Sequence, residues 1–224
     1  MKGDYIMKNM DIINNLNIEY DDSKSPLLNL YNMSILFLVK TDPENKISTR
    51  IIQHTLRSMK IADRIMKKEL ADRSIVMTSL LLHDLGKTLT ESRHDLVSYD
   101  LAIHFLKYTK IPEDKQKRIL DCILYHSAKN LKSLDLTMEQ KVVMDADILD
   151  EIGILSIVKY CLKCNKNKDI DEIIKHMDEV YTKIDKETVY LQTKYGKELY
   201  AQKKKKYREI MELFRLEAGM FNIK

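Results

Sequence analysis

Apolar side chains recur at intervals of three or four residues along most of this chain, and this spacing constrains the fold more than any other feature. The spacing matches the 3.6-residue turn of an α-helix. Only five glycines and three prolines occur among the 224 residues, so few residues are available to form turns between many short strands. The segment 54–70 shows the pattern, with apolar residues at Leu56, Met59, Ile61, Ala62, Ile65 and Met66.

The same spacing predicts a series of helices after residue 54. Pro112 suits the first turn of a helix, Thr137 and Gln140 form a capping box, and Gly86 is suited to end the helix that precedes it. In residues 1–45 we expect one or two helices and a loop near residues 21–26. No strand pattern is visible, so the predicted fold class is all-α. Beyond 54–70, the predicted helices cover 78–87, 94–110, 111–127, 137–163, 169–185 and 187–218.

The charge balance and the apolar runs exclude several classes of protein. The net charge of +4 is mild, and the lysines at 203–206 precede residues with helical spacing, which favours a solvated helix face over a nucleic-acid site. No apolar run approaches the roughly 20 residues of a membrane span. The N-terminal residues are polar and lack the features of a signal peptide. We therefore expect a cytoplasmic protein with no membrane partner, and nucleic acid is not a favoured partner.

The three cysteines do not indicate a metal or redox site. Cys161 and Cys164 form a single CxxC motif with no second pair nearby, which we interpret as two ordinary residues at a helix end. Three cysteines also agree with a reducing compartment, where disulfides are not needed.

A buried segment that ends in two polar residues gives the first indication of chemistry. The chain is mostly apolar from Ile75 to Leu82 and then continues with His83 and Asp84, within the stretch "LLLHDLGK". Burying a carboxylate is costly unless it is paired or binds a metal. Three further histidines lie at the ends of predicted helices, and two aspartates interrupt an apolar helix face. Helix ends that meet in a bundle can bring such groups together. These residues are His54, His94, His126, Asp145 and Asp147.

The order of these residues resembles the H…HD…D signature of the HD superfamily of metal-dependent phosphohydrolases. "LLLHDLGK" is similar to the HD-I-G-K form of that family, and "DADILDEIG" is similar to the segment that carries its last metal ligand. "RHDLVSYDLA" and "ILYHS" resemble the intermediate histidine segments of the bacterial HD-hydrolase branch. The resemblance covers roughly residues 48–218. It implies an HD-type helical bundle with additional C-terminal helices over 46–218, preceded by an N-terminal extension over 1–45.

The resemblance also implies a set of metal ligands, which are His54, His83, Asp84 and Asp147. We favour Asp147 over Asp145 because Ala146-Asp147 aligns with the Ala-Asp of the family, and because Asp147 and Asp150 share one helix face. Asp145 is left as a residue that could orient a ligand histidine.

Three residues are expected around the substrate. His94 and His126 would bind a second ion, as in members with two metals, or would contact the substrate phosphate. Lys87 is expected to face the phosphate, so that Asp84 and Lys87 are the candidate catalytic residues. His104 and His176 are interpreted as ordinary hydrogen-bonded core histidines.

The implied activity is the hydrolysis of a phosphate ester, such as a nucleotide or a similar small phosphorylated metabolite, with one or two divalent ions. A mixed histidine and aspartate set suits Mn, Fe, Co, Ni or Zn better than Mg, although Mg is compatible. One alternative is a catalytically silent HD module that binds a nucleotide or metal and regulates. Another is a helical nucleic-acid-binding protein, which rests on the lysine run alone. The sequence also allows a homo-oligomer.

Overall fold

The described part of the chain is built from α-helices joined by short connections. The computed structural model describes residues 20–90, 92–127, 135–163, 169–187 and 190–219. No residue in these ranges lies in a strand, which confirms the predicted all-α class. The elements are α1 (Pro26–Thr41), α2 (Ser48–Met66), α3 (Arg73–Leu82), a 3₁₀ turn (Leu85–Thr88), α4 (His94–Lys107), α5 (Glu113–Tyr125), α6 (Met138–Glu151), α7 (Ile154–Lys163), α8 (Ile170–Glu187) and α9 (Lys194–Glu217).

Helix α3 lies at the centre of the main core. It packs against α1, α2, α5 and α6, and every residue from Ile75 to Leu82 is buried. This position explains why the sequence of α3 is apolar on all sides rather than on one face. Ser79, one of its two polar interruptions, donates a hydrogen bond to the Ile75 carbonyl at 2.8 Å, so its hydroxyl is not left unpaired in the core.

Helix α1 belongs to the same core. Ser25 caps the helix by accepting a hydrogen bond from Leu28 N at 3.3 Å, and Pro26 follows in the first turn. The helix buries Leu30 and Phe37, and the Phe37 ring meets the Phe105 ring edge-on with centroids 6.0 Å apart. The predicted domain boundary at residue 45 stays a prediction, but the helix before it packs into the core that holds α3.

The predicted single helix over 137–163 is wrong, because the chain breaks after Glu151. Ile152 is extended, and Gly153 has a φ of +111°, a conformation that glycine adopts without the strain of a side chain. Lys203 of α9 donates to the Leu149 carbonyl at 2.9 Å and to the Ile152 carbonyl at 3.1 Å, which pairs carbonyls that the end of α6 leaves open. The predicted capping box at the start of α6 is confirmed.

Gly86 does not end a helix as predicted. Helix α3 ends at Leu82, and Gly86 lies inside the 3₁₀ turn that follows. A Cβ on Gly86 would lie 2.6 Å from the carbonyl oxygen of His94 and 2.8 Å from the amide nitrogen of Ser98. Glycine is therefore needed because the backbone of the turn packs directly on the first turn of α4.

The last three helices form a second, smaller apolar cluster. Its buried residues are Ile157, Ile174, Met177, Tyr207 and Met211. Helix α9 joins the two clusters, because its Leu199 belongs to the main core. The lysine run 203–206 is exposed to solvent, as predicted, only at Lys205 and Lys206. Lys203 caps α6, and Lys204 pairs with Asp185 at 2.5 Å.

The structure describes only one cysteine of the CxxC motif. Cys161 is exposed, while Cys164 lies outside the described residues, so the interpretation of the motif stays a prediction. In the part of the chain that the structure describes, no helix is both long enough and apolar enough to cross a membrane.

Candidate metal centre

The structure brings all six predicted ligands to one place in the bundle. Helix α2 packs against α6, and the segment after α3 packs against α4 and lies near the end of α5. Helix α2 begins at Ser48, so His54 lies in its second turn and does not open the helix as predicted. The ligands come from α2 (His54), the end of α3 (His83, Asp84), the start of α4 (His94), the end of α5 (His126) and the middle of α6 (Asp147).

One group of donor atoms surrounds the Oδ2 atom of Asp84. His54 Nε2 and His83 Nε2 each lie 3.5 Å from this oxygen and 3.2 Å from each other. Asp147 Oδ1 lies 3.0 Å from His54 Nε2 and 3.7 Å from His83 Nε2. His83 is fully buried and Asp84 is 2% exposed, whereas the Asp147 side chain is 20% exposed. The donor atoms of the four predicted ligands of the first ion therefore lie close together. Asp147 is on the solvent side of this group.

The other oxygen of Asp84 faces the second histidine pair. His94 Nε2 lies 3.5 Å from Oδ1, and His126 Nε2 lies 3.7 Å from it. Both distances are too long for a direct hydrogen bond. The carboxylate of Asp84 therefore stands between the two sets of histidines, one on each oxygen.

The hydrogen bonds on the far side of three imidazoles fix which nitrogen faces the centre. His83 Nδ1 lies 2.8 Å from the Leu80 carbonyl, and His126 Nδ1 lies 2.6 Å from the Ile123 carbonyl. A carbonyl can only accept, so each Nδ1 carries the proton. His54 Nδ1 donates in the same way to Asp150 Oδ2 at 2.8 Å. In the neutral form, each of these histidines presents the lone pair of Nε2 to the centre, as a metal ligand must.

The electrostatics of the centre favour a cation. Burial lowers the pKa of His54, but its hydrogen bonds to Asp147 and Asp150 outweigh burial and raise that pKa to about 10. The raised pKa reflects the negative potential at Nε2, and this potential attracts a metal ion as well as a proton. Burial and the neighbouring His83 lower the pKa of His126 to about 4, so this imidazole is neutral at pH 7 and can act as a ligand.

The residues present fit a divalent cation. Asp84 Oδ1 is buried and accepts no hydrogen bond from any residue in the described ranges. An orphaned buried carboxylate oxygen is costly, and a cation held between it and the two histidines would compensate that cost. Within each of three overlapping sets, donor atoms lie within 4.8 Å of one another; the sets are His54, His83 and Asp84; His83, His126 and Asp147; and Asp84, His94 and His126.

Lys87 lies beside the centre, one residue beyond the glycine of the 3₁₀ turn. Its ammonium donates to Asp84 Oδ2 at 2.5 Å, and its side chain is 35% exposed. Burial raises the pKa of Asp84, but the charges of His83 and Lys87 outweigh burial and lower it. The predicted contact of Lys87 with a phosphate stays a prediction; the structure places its charge at the accessible edge of the ligand set.

The suggestion that Asp145 orients a ligand histidine is wrong. Asp145 is buried and accepts hydrogen bonds from Gln192 N at 2.7 Å, from Thr193 N at 2.8 Å and from the Thr193 hydroxyl at 2.6 Å. It therefore attaches the start of α9 to α6. Burial raises the pKa of Asp145 to about 6, although these hydrogen bonds oppose the shift.

Asp150 performs the role that was considered for Asp145. It accepts from His54 Nδ1, and Arg57 holds it through Nε at 2.7 Å and Nη2 at 2.9 Å. The sequence placed Asp150 on the same helix face as Asp147 but gave it no partner. No sequence pattern points to Arg57, because an arginine three residues after a histidine on an amphipathic helix is typical of an exposed face.

The two remaining histidines belong to none of the ligand sets. His104 and His176 are both half-buried rather than part of the core. Burial lowers the pKa of His104, and His176 Nδ1 lies 3.5 Å from Glu179 on the same helix. Their interpretation as core histidines is therefore wrong in its burial, although both lie apart from the centre as expected.

The fold and the ligand arrangement agree with comparisons to known proteins. The family model of the HD domain matches residues 51–152. This range holds most of α2, all of α3 to α6 and all six predicted ligands. This part of the chain is therefore similar to the HD domain. No curated protein matches it.

Solved structures with the same fold come from several bacteria. An HD-superfamily hydrolase from Bacillus thuringiensis shares 20% identity, with a TM-score of 0.62 over 86% of this chain and 98% of that chain. A predicted HD-superfamily hydrolase from an uncultured Thermotogales bacterium shares 20% identity, with a TM-score of 0.59 over 85% and 90% of the two chains. Bacillus subtilis YpgQ in complex with ADP shares 23% identity, with a TM-score of 0.54 over 74% and 87%. At these identities, the likeness supports the fold alone.

Proposed function

We propose that this protein is a metal-dependent phosphohydrolase that cleaves a phosphate ester of a nucleotide or a similar small metabolite. The observation that carries the proposal is the convergence of histidine Nε2 atoms on both oxygens of one buried carboxylate, with Asp147 beside them. The match of residues 51–152 to the HD domain supports the reaction class. The complex of YpgQ with ADP supports a nucleotide as the first substrate class to test.

The roles of the residues follow from their positions. His54, His83, Asp84 and Asp147 would hold a divalent cation, which supplies Lewis acidity for attack of water on phosphorus. His94 and His126, on the other oxygen of Asp84, would hold a second ion or contact the phosphate.

Lys87 has a different role because a protonated lysine has no lone pair for a metal. Its flexible ammonium lies at the edge of the centre and would neutralise charge that develops on the phosphoryl oxygens. Asp84 holds this ammonium when no substrate is bound.

The test is metal analysis followed by a substrate panel. The purified protein is freed of metal with a chelator, reloaded separately with Mn²⁺, Co²⁺, Ni²⁺ and Mg²⁺, and its metal content is measured per chain. Each form is then assayed for phosphate or pyrophosphate release from nucleoside mono-, di- and triphosphates and from a generic aryl phosphate. We expect at least one ion per chain and ion-dependent turnover of one of these classes.

The alternative functions give different results in the same experiment. A silent regulatory module would bind a metal, and a bound nucleotide would raise its thermal unfolding temperature. It would release no phosphate with any ion. Such a result would overturn the enzymatic proposal. Failure to bind any divalent ion would overturn the metal site itself.

A further inference from the structure

Arg57 and His54 contact the same buried carboxylate from one helix. They lie three residues apart on α2, so they share a face of that helix. Asp150 of α6 lies opposite, is 3% exposed, and bonds both residues. Arg57 Nε holds Oδ1 at 2.7 Å, while Arg57 Nη2 and His54 Nδ1 share Oδ2 at 2.9 and 2.8 Å.

We propose that Arg57 is a positioning residue for the metal centre, which fixes the Nε2 atom of His54 towards the ion by holding Asp150 in place. This inference rests on the proposed metal site and deepens it. Arg57 itself contacts neither an ion nor a substrate in this arrangement. Its contribution is the orientation of a ligand through one intermediate residue.

The geometry explains why an arginine is needed at this position. A carboxylate that bonds only one imidazole can rotate about its bond to Cβ and carry the imidazole with it. A bidentate guanidinium fixes the plane of the carboxylate, which a single ammonium cannot do. Lys159 reaches Asp150 Oδ2 at 3.4 Å and adds positive charge, but at that distance it does not define the orientation of the group.

The rest of the imidazole environment shows why the orientation of His54 matters. Asp147 Oδ1 lies 3.0 Å and His83 Nε2 lies 3.2 Å from His54 Nε2, so a small rotation of the ring moves the donor out of the common volume. His83 and His126 are held by backbone carbonyls of their own helices. His54 instead depends on a side chain of another helix, and that side chain depends on Arg57.

A second ion pair between an arginine and a buried carboxylate of α6 provides the control. Arg118 Nη2 lies 2.9 Å from Glu139 Oε1, and Glu139 is 6% exposed. Glu139 lies in the first turn of α6 and accepts from Asp72 N at 2.9 Å, with no contact to the centre. Both substitutions, Arg57→Met and Arg118→Met, therefore remove an arginine from a buried carboxylate of α6, but only the first removes support from a ligand.

The experiment measures Mn²⁺ affinity by isothermal titration calorimetry on the metal-free wild type and on Arg57→Met, Arg57→Lys and Arg118→Met. Circular dichroism and thermal unfolding of the metal-free proteins establish that each is folded. We expect Arg57→Met to bind Mn²⁺ about 10- to 100-fold more weakly, the range typical of residues that orient a metal ligand. Arg57→Lys should lie between Arg57→Met and the wild type, and Arg118→Met should bind within about twofold of the wild type.

Three outcomes would overturn this proposal and leave the proposed function intact, and a fourth would overturn both. The first is an Arg57→Met protein that is folded and binds Mn²⁺ as the wild type does. The second is an equal loss of affinity in Arg118→Met, which would show that any lost ion pair on α6 has the same effect. The third applies if Arg57→Met does not fold: Arg57→Lys keeps the charge without the fork, so an unchanged affinity in that variant contradicts the role of the fork. A wild type that binds no Mn²⁺, Co²⁺ or Ni²⁺ overturns this proposal together with the proposed function, whereas the other outcomes leave the proposed function intact.

Discussion

Asp84 contacts both halves of the candidate centre, because each of its two oxygens faces a different pair of histidines. We expect His83→Ala and Asp84→Ala each to abolish binding of a divalent ion while the protein stays α-helical. His104→Ala is the control, since His104 belongs to none of the ligand sets. Metal content per chain and far-UV circular dichroism are the measurements, and full metal occupancy in either variant would exclude that residue as a ligand.

Asp145 and Asp147 lie two residues apart on α6 and have different partners. Asp147→Asn should weaken metal binding strongly, because its carboxylate borders the centre. Asp145→Asn should lower the free energy of unfolding by about 1–3 kcal/mol, since an amide nitrogen would leave a backbone donor at Gln192 or Thr193 without an acceptor. Calorimetric titration and denaturant unfolding of both variants separate the two effects. A reversed pattern would make Asp145 the ligand.

Lys87 is expected to affect turnover more than metal affinity. Loss of one charge contact to a transition state typically costs about 2–4 kcal/mol, so Lys87→Ala should lower kcat roughly a hundredfold or more. Lys67→Ala is a suitable control, because Lys67 pairs with Asp63 at 3.7 Å on the surface. The measurement is steady-state kinetics on the substrate found in the panel, with metal content measured in parallel. An unchanged kcat would contradict the role of Lys87 and leave His94 and His126 as the candidates for binding the phosphate.

At the level of single residues, the sequence shows the candidate ligands but not the residues that hold them in place. The order of His54, His83-Asp84 and Asp147 is visible in the chain because the motif keeps fixed residue types. The Arg57–Asp150 pair joins residues 93 positions apart, and no local pattern indicates such a pair. The expectation for Asp145 is wrong for the same reason, because its partners Gln192 and Thr193 are far away in the sequence and helical spacing does not indicate them.

At the level of elements, periodicity predicted where helices exist, and packing decided where they end. The break at Gly153 and the early end of α3 both follow from contacts with other helices. Lys203 pairs the last carbonyls of α6, and the 3₁₀ turn after α3 lies against the backbone of α4. Neither contact is visible in a window of neighbouring residues, so the predicted ends were wrong while the helices themselves were present.

The close approach of the 3₁₀ turn to α4 gives a prediction for Gly86. In Gly86→Ala, the new Cβ would meet backbone atoms of His94 and Ser98 within 3 Å. Backbone atoms move less readily than side chains, so we expect a loss of about 1–3 kcal/mol in the free energy of unfolding. Gly219→Ala is the control, since no atom lies within 4 Å of its added Cβ, although its φ of +71° carries a strain of its own. Equal stability of Gly86→Ala and the wild type in urea would contradict the packing described.

At the level of the whole molecule, the part that matches the HD domain packs against the C-terminal helices. Helix α9 contributes Leu199 to the main core, and Leu191 just before it is also buried there. Three further polar contacts attach this region to the HD domain, through Asp145, through Lys203 and through Glu69, which accepts from Tyr195 N at 2.9 Å.

We therefore expect a chain that stops at residue 152 to lose cooperative thermal unfolding. Its core would be exposed where α9 packs, and the buried carboxylate of Asp145 would lose its hydrogen-bond donors. A chain that stops at residue 219 keeps these contacts and serves as the control. Thermal unfolding followed by circular dichroism decides the matter; a cooperative transition in the shorter chain within a few degrees of the control would show that the HD domain folds alone.

The separation of the candidate ligands along the chain has a consequence for how the centre would acquire an ion. His54 and the Asp150 carboxylate that orients it are 96 residues apart. The other donors come from the ends of three more helices and from the middle of α6. The segment 83–94 holds three of the donors, but His54, His126 and Asp147 join them only when the helices pack, so we expect a partly unfolded chain to bind an ion more weakly than the folded protein. Because such non-local contacts form slowly, we expect the full affinity for an ion to appear on refolding together with the assembly of the bundle.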